Sequence, residues 1–312
     1  MRIATDSWTL ADIPDQAGRT ILVTGTSLGG IGHHTALELV RRGGRVILAG
    51  RTRARIDETA RTIREEVPAA DLEQLTVDLA DLSSVRTAAA AAASYGAIDV
   101  LINNAGVMAT KRQVTVDGLD LQLATNHYGP FLLTGLLLPQ LVASGAATVV
   151  TVSSNLHRVA RSAPLGDPHR HDGRYLRWYV YAQTKLSNLL FTYELDRRAR
   201  AAEVPVKALA AHPGFAGTHL AANGQYGRSS GGIATILDAA IKGVSQSAAV
   251  GAWPTLMAAT ADLPGATYVG PSGLAELAGA PRVVSSTALS HDEDAQRKLW
   301  EISEETTGVR YP

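Results

Sequence analysis

The chain has 312 residues, 46% of them hydrophobic and 19% charged, a balance that suits a globular protein with a sizeable core. Lys+Arg and Asp+Glu both number 29, so no basic excess points to nucleic acid or to a membrane surface. There is no cysteine, which excludes a disulfide framework, a cysteine nucleophile and a Cys-ligated zinc or iron–sulfur centre.

Residues 1–14 carry Asp6 and Asp12 and no apolar run, so a signal peptide is not expected. The apolar stretch Phe131–Val142 is short and is interrupted by Thr134, Gly135, Pro139 and Gln140, so no membrane span is expected either. A cytoplasmic location follows as the expectation.

Apolar strands then alternate with segments of helical period. Strands are expected at Arg19–Thr24, Arg45–Gly50, Leu72–Asp78, Ile98–Asn103, Ala147–Val152 and Val206–Ala211, with a last one near 266–270. Helices are expected at Gly32–Arg42, Arg53–Glu66, Leu82–Tyr95, Leu119–Leu138 and Tyr179–Arg200. Strand–helix–strand repetition implies right-handed crossovers and a mostly parallel sheet of about seven strands, covered on both faces. The expected fold is α/β: a single doubly wound Rossmann-type domain over residues 1–312. It carries excursions at 156–180 and 213–245 and a tail from about 271.

The first strand runs into Thr24-Gly25-Thr26-Ser27-Leu28-Gly29-Gly30-Ile31-Gly32. Glycines at such a turn let backbone N–H groups approach a pyrophosphate, and the next helix offers its positive end. Ordinary tight turns use glycine too; the position between a strand and an amphipathic helix favours the nucleotide. The second strand ends at Gly50 with no carboxylate for a ribose 2′-OH. Arg51 follows, helped by Arg53 and Arg55, and suits a 2′-phosphate unless the run is only a solvated basic face. Asp78 either meets the adenine amino group or caps the next helix.

Tyr181 and Lys185 stand one helical turn apart at the start of a long helix. Ser154 ends the fifth strand and Asn126 lies in the helix before it. All three groups would converge on the carboxyl edge of the sheet. A buried phenol beside an ammonium can exchange a proton with an alkoxide, and a serine hydroxyl can orient a carbonyl. The pairs His33-His34 and His169-x-His171 lack well-spaced carboxylates and are read as solvated or capping, with no metal site expected.

Several motifs occur together and in order: Thr24-Gly25 with its glycine turn, Asp78-Leu79, Asn103-Asn104-Ala105-Gly106, Asn126, Ser154, Tyr181-x-x-x-Lys185 and His212-Pro213-Gly214. With them the chain resembles the short-chain dehydrogenase/reductase family over roughly residues 17–310. Asp117-Gly-Leu-Asp-Leu-Gln122, Thr125-Asn-His-Tyr-Gly-Pro-Phe131, Lys185-Leu-Ser-Asn188 and Leu299-Trp-Glu-Ile-Ser-Glu-Glu-Thr-Thr-Gly308 narrow it to the retinol-dehydrogenase-like branch.

The resemblance implies Tyr181 as general acid/base and Lys185 as ribose ligand that lowers the tyrosine pKa. It implies Ser154 on the substrate oxygen and Asn126 anchoring a relay water. The NADP(H) contacts it implies are Gly25, Thr26, Ser27, Gly29, Gly30, Ile31, Gly32, Arg51, Asp78, Leu79, Asn104, Ala105, Gly106, Tyr181, Lys185, Pro213, Gly214 and Thr218. The glycine turn is one residue longer than the family's usual turn, which leaves open which glycine meets which phosphate.

The expected activity is hydride transfer between nicotinamide and an apolar ketone, aldehyde or secondary alcohol. Trp178, Phe215, Leu220 and Tyr226 are candidate pocket residues, with Tyr175 and Arg177. A non-redox epimerase or lyase on the same fold and a non-catalytic dinucleotide-binding regulator are the alternatives. Apolar surplus at Leu132, Leu133, Leu136, Leu137, Leu189, Leu190 and Phe191 suggests a homodimer through two helices, unless the tail covers these positions.

Overall fold

The structure is a computed structural model that describes residues 8–215 and 246–312. Eight strands form one sheet: β1 (Thr20–Thr24), β2 (Arg45–Gly50), β3 (Leu72–Thr76), β4 (Val100–Asn103), β5 (Ala147–Val152), β6 (Val206–Ala211), β7 (Tyr268–Pro271) and β8 (Pro281–Val283). Their order is β3-β2-β1-β4-β5-β6-β7-β8. Every neighbouring pair is parallel except β7–β8. The order reverses between β1 and β4, and the crevice outside the carboxyl ends there is where such sheets bind ligands.

Alternation along each strand splits the core in two. Ile21, Val23, Val46, Leu48, Val100 and Ile102 pack on one face, against α1 (Ile31–Arg41) and α2 (Arg53–Glu66). Leu22, Ile47, Leu101 and Val149 pack on the other, with Val85 of α3 (Leu82–Ala92). Each large apolar side chain removed from water contributes about 1.5–3 kcal/mol.

The expected helix 119–138 is broken into pieces. Asp120 caps α4 (Leu121–Leu123) by accepting from Gln122 N at 2.9 Å and Leu123 N at 3.2 Å. A π-helical turn, Ala124–Tyr128, follows, and α5 (Gly129–Leu136) and α6 (Leu138–Ala143) complete the run. Prolines at the start of α5 and α6 remove N–H groups that first-turn positions leave unpaired anyway. The long α7 (Arg177–Ala201) is largely buried from Tyr181 to Ala199.

The sheet gains one strand on the expected seven: β8 lies in the tail and pairs antiparallel with β7, through Val269↔Val283. The tail also holds a helix. After the short helices α8 (Ala248–Gly251) and α9 (Trp253–Thr260), α10 (Glu293–Thr307) is capped by Asp292 and ended by Gly308 in the left-handed conformation, φ 68°.

This helix corrects the pairing argument. Leu132, Leu133, Leu137, Leu189, Leu190 and Phe191 are buried within the chain, and Leu136 packs against the same core partly covered. Trp300 stands edge-on to Phe131 at 5.0 Å and stacks on Phe191 at 6.0 Å. Tyr311 Oη donates to the Phe131 carbonyl at 3.1 Å. The apolar surplus that suggested a two-helix interface is therefore covered within the chain, by residues 299–311 around Phe131, Leu190 and Phe191 and by Tyr193, Ala210 and Tyr268 around Leu189.

Candidate active site

The glycine turn is held against β4 by side chains. Thr24 Oγ1 accepts from Asn104 N and Ala105 N, both at 3.0 Å, and Asn104 Nδ2 donates to Thr24 O at 2.7 Å and to Gly25 O at 3.2 Å. Gly25 has φ +75°, and a Cβ there would lie 2.7 Å from Ala105 Cα; glycine is required. A Cβ on Gly32 would stand 2.5 Å from Gly25 O, so this glycine serves the close approach of α1 to the strand.

A cleft of about 520 Å³ opens over this turn. Of the residues expected to hold a dinucleotide, it is lined by Gly25, Thr26, Ser27, Gly30, Ile31, Arg51, Asp78, Leu79, Asn104, Ala105 and Gly106. Gly29, Gly32, Tyr181, Lys185, Pro213 and Gly214 do not line it, and Thr218 lies outside the described residues, as do Leu220 and Tyr226. Arg55, Ile56, Met108, Thr110, Leu121 and Thr125 line it and were not singled out as contacts from sequence, apart from Arg55 as a helper. Arg53 is paired instead with Asp57 at 3.1 Å. Asp78 is not a helix cap: Asp81 caps α3, while Asp78 Oδ1 accepts from Ala80 N at 3.0 Å.

The side chains expected to act on the substrate lie beside Gly106, next to the cleft rather than in its lining. Burial pushes the Tyr181 phenol up to about 12, opposed by its hydrogen bond with Ser154. Lys185 Nζ lies 5.7 Å from the Tyr181 ring centroid and donates to Val152 O at 2.9 Å, and burial lowers it to about 8. Gly106 leaves the room between them: a Cβ there would lie 3.1 Å from Asn126 Oδ1 and 3.7 Å from Lys185 Nζ.

Asn126 sits in the π-helical turn, a deformation that recurs at functional positions. Its side chain exchanges two bonds with Val107, N to Oδ1 at 2.8 Å and Nδ2 to O at 2.9 Å. Its Nδ2 also donates to Thr184 Oγ1 at 3.0 Å, and Thr184 Oγ1 donates to Tyr181 O at 2.8 Å. Both amide hydrogens are therefore occupied. Asn126 ties the β4 loop to α7.

Burial dominates where sequence reasoning placed the lysine first. The Tyr181 phenol is not drawn toward neutrality by Lys185 alone.

Trp178 is 40% exposed and stands edge-on to Tyr181 at 6.4 Å. Phe215, also 40% exposed, is tied by its N–H to Leu277 O at 2.7 Å. Tyr175 is drawn away to Gln122 Nε2, its hydroxyl accepting at 2.8 Å. Tyr179 Oη pairs with Ser162 Oγ at 3.2 Å, and His169 and His171 both turn to the Gly118 carbonyl.

Sequence reasoning missed the wall behind Ser154. His157 Nδ1 donates to Ser154 O at 2.8 Å, and His212 Nε2 meets Glu276 Oε2 at 3.2 Å. Glu276 comes from the β7–β8 loop, whose contact with the site is purely tertiary. No local pattern announces it.

With this geometry in place, comparison with known proteins identifies the class. Residues 19–164 match the family model for short chain dehydrogenases. Human retinol dehydrogenase 13 is 37% identical over 299 residues, 95% of this chain and 86% of that protein. The chain belongs to the short-chain dehydrogenase/reductase family. Within it, the similarity lies with the retinol-dehydrogenase-like branch.

The crystal structure of an uncharacterized protein from Mycobacterium paratuberculosis superposes with a TM-score of 0.80 and 41% identity, covering 98% of this chain and 99% of that one. A protein from Beutenbergia cavernae, described as an NAD(P)-dependent gluconate 5-dehydrogenase with bound NADP, is 25% identical with a TM-score of 0.59. It covers 78% of this chain and 90% of its own.

Proposed function

We propose that the protein is an NADP(H)-dependent oxidoreductase acting on an apolar ketone, aldehyde or secondary alcohol. The observation that supports this reading is the grouping of Asn126 and Lys185 beside Gly106, a residue that lines the cleft of about 520 Å³, with Tyr181 next to Lys185 and hydrogen-bonded to Ser154. The chain is a redox enzyme by family; the cofactor and substrate preferences are what this reading adds.

The cleft suits a dinucleotide on its own chemistry. α1 begins at Gly30 with no side-chain cap, so its first-turn N–H groups remain for a phosphate. Arg51 and Arg55 line the cleft where β2 ends without a carboxylate, which favours a 2′-phosphate. When bound, the nicotinamide supplies or accepts the hydride.

The chain's own groups then handle the proton. Ser154 orients the substrate oxygen, and Tyr181 Oη, in contact with Ser154, gives it a proton. Burial keeps the phenol in its protonated form, the form that carbonyl reduction uses. Alcohol oxidation asks for the phenolate, and bringing that phenol near 7 takes roughly 7 kcal/mol of added positive field or hydrogen bonding. The side chain of Asn126 is occupied, so a relay water would rest on its backbone carbonyl in the π-helical turn.

The resemblance to retinol dehydrogenase 13 and the apolar Trp178 and Phe215 favour a lipophilic substrate. The test is a panel of carbonyls and alcohols followed through nicotinamide absorbance with NADPH beside NADH. Turnover of lipophilic carbonyls with NADPH is the expected result. Bound cofactor that never changes redox state across the panel would overturn the reading and favour an epimerase or a binding protein.

A further inference from the structure

The extra residue in the glycine turn needs an explanation, and His33 supplies one. Gly29 has φ +74° and does not face the cleft. Its N–H donates to His33 Nδ1 at 3.3 Å. The next amide, Gly30 N, donates to Ser27 O at 3.0 Å. The Gly29 and Gly30 amides are thus both closed inward. Ser27, Gly30 and Ile31 are left facing the cleft.

His33 holds this arrangement at a disadvantage to itself. Nδ1 accepts, so the imidazole is neutral with its hydrogen on Nε2. That Nε2 is buried without a hydrogen-bond partner, and the residue is 5% exposed. A buried donor left unpaired destabilises a fold. Leucine has nearly the same bulk, carries no such donor and favours helices more. By packing alone, leucine is the better residue at this position.

We propose that His33 is a positioning residue for the dinucleotide: its Nδ1 holds Gly29 turned away, so that the longer turn still presents Ser27, Gly30 and the first turn of α1 to the phosphates. This rests on the reading of the cleft as an NADP(H) site. His33 is not expected to touch the cofactor.

The test separates position from packing by measuring stability and affinity together. His33→Leu keeps the bulk, removes the acceptor and removes the orphaned donor. It should unfold at the same temperature as the wild type or higher, yet bind NADPH about tenfold more weakly by fluorescence titration, the scale of one lost neutral hydrogen bond. His33→Asn places an amide oxygen where Nδ1 stands and should restore affinity to within about twofold. At saturating NADPH, kcat should be unchanged in both, with the loss confined to KM for the dinucleotide.

Deleting Leu28 shortens the turn, and in that background His33→Leu should no longer affect binding. Wild-type affinity in a folded His33→Leu variant would overturn the proposal, as would His33→Asn failing as badly as His33→Leu. If the wild type bound neither NADPH nor NADH, the cleft reading would fall first.

Discussion

The Lys185 ammonium donates to the Val152 carbonyl at 2.9 Å, on β5 two residues before Ser154, and Asn188 Nδ2 shares that acceptor at 3.0 Å. The charge is thus fixed to the sheet edge that also carries the serine. It is held there against its own desolvation.

That burial has a measurable pH signature. Lys185 falls from 10.5 to about 8 in the folded chain. Between about 8 and 10.5 the unfolded state binds more protons than the folded state, so this group makes stability rise with pH across that window. Below about 8 both states are protonated and the destabilisation is present in full, roughly 3 kcal/mol. Urea unfolding of Lys185→Met should show a shallower rise than the wild type from pH 8 to 10. Identical slopes would mean that the ammonium is solvated.

Tyr181→Phe keeps the ring packed against Trp178 and removes the proton donor. Turnover should drop about 10²–10⁴-fold while NADPH affinity holds. Tyr179→Phe should leave the rate near wild type, since that hydroxyl faces Ser162. A Tyr181→Phe enzyme with near-normal rates would remove Tyr181 from its role.

Arg51→Ala should weaken NADPH binding by about ten- to a hundredfold and leave NADH nearly unchanged, the worth of one charge-assisted contact to a phosphate. Arg53→Ala should do little, because Arg53 is engaged with Asp57 at 3.1 Å. Titration calorimetry with both dinucleotides decides. Equal losses for the two would show that Arg51 acts on a part they share.

Trp300→Ala removes the ring on which Phe131, Phe191 and Tyr311 converge, and over which Arg198 lies at 4.7 Å. Global stability should fall by about 3–5 kcal/mol in chemical denaturation. A loss below about 1 kcal/mol would show that α10 can leave the body without opening the core.

The sheet was legible because its strands are short, nearly continuous apolar runs, and because Gly25, Asn104 and Gly106 mark where the backbone must come close. Tyr181, Lys185 and Ser154 were legible as chemistry at fixed spacing. The break at Ala124–Tyr128 was not: its residues fit an ordinary helix, and the π-helical turn comes from packing Asn126 between Val107 and Thr184. Glu276 was hidden because its partners His212 and Arg158 lie far along the chain. Lys185 was expected to set the tyrosine's acidity, but sequence carries no measure of burial, and burial is the larger effect. The apolar positions that suggested a dimer have the alternative named with them, cover by the tail, at Phe131 and Phe191, where Trp300 and Tyr311 fold back.

The tail also sets an order of events during synthesis. Gly135 has no room for a Cβ because the Tyr311 ring stands 2.6 Å from where it would be, and Arg86 reaches the Thr307 carbonyl. Tyr311 meets Phe131 across 180 residues of chain. At the usual pace of a ribosome, that interval is about ten to forty seconds. Throughout it the nascent Phe131 and Leu133, joined part-way by Phe191, wait for their lid with an apolar face uncovered. Residues 299–311 follow every strand of the sheet in the chain, and this face of the core closes only when they arrive.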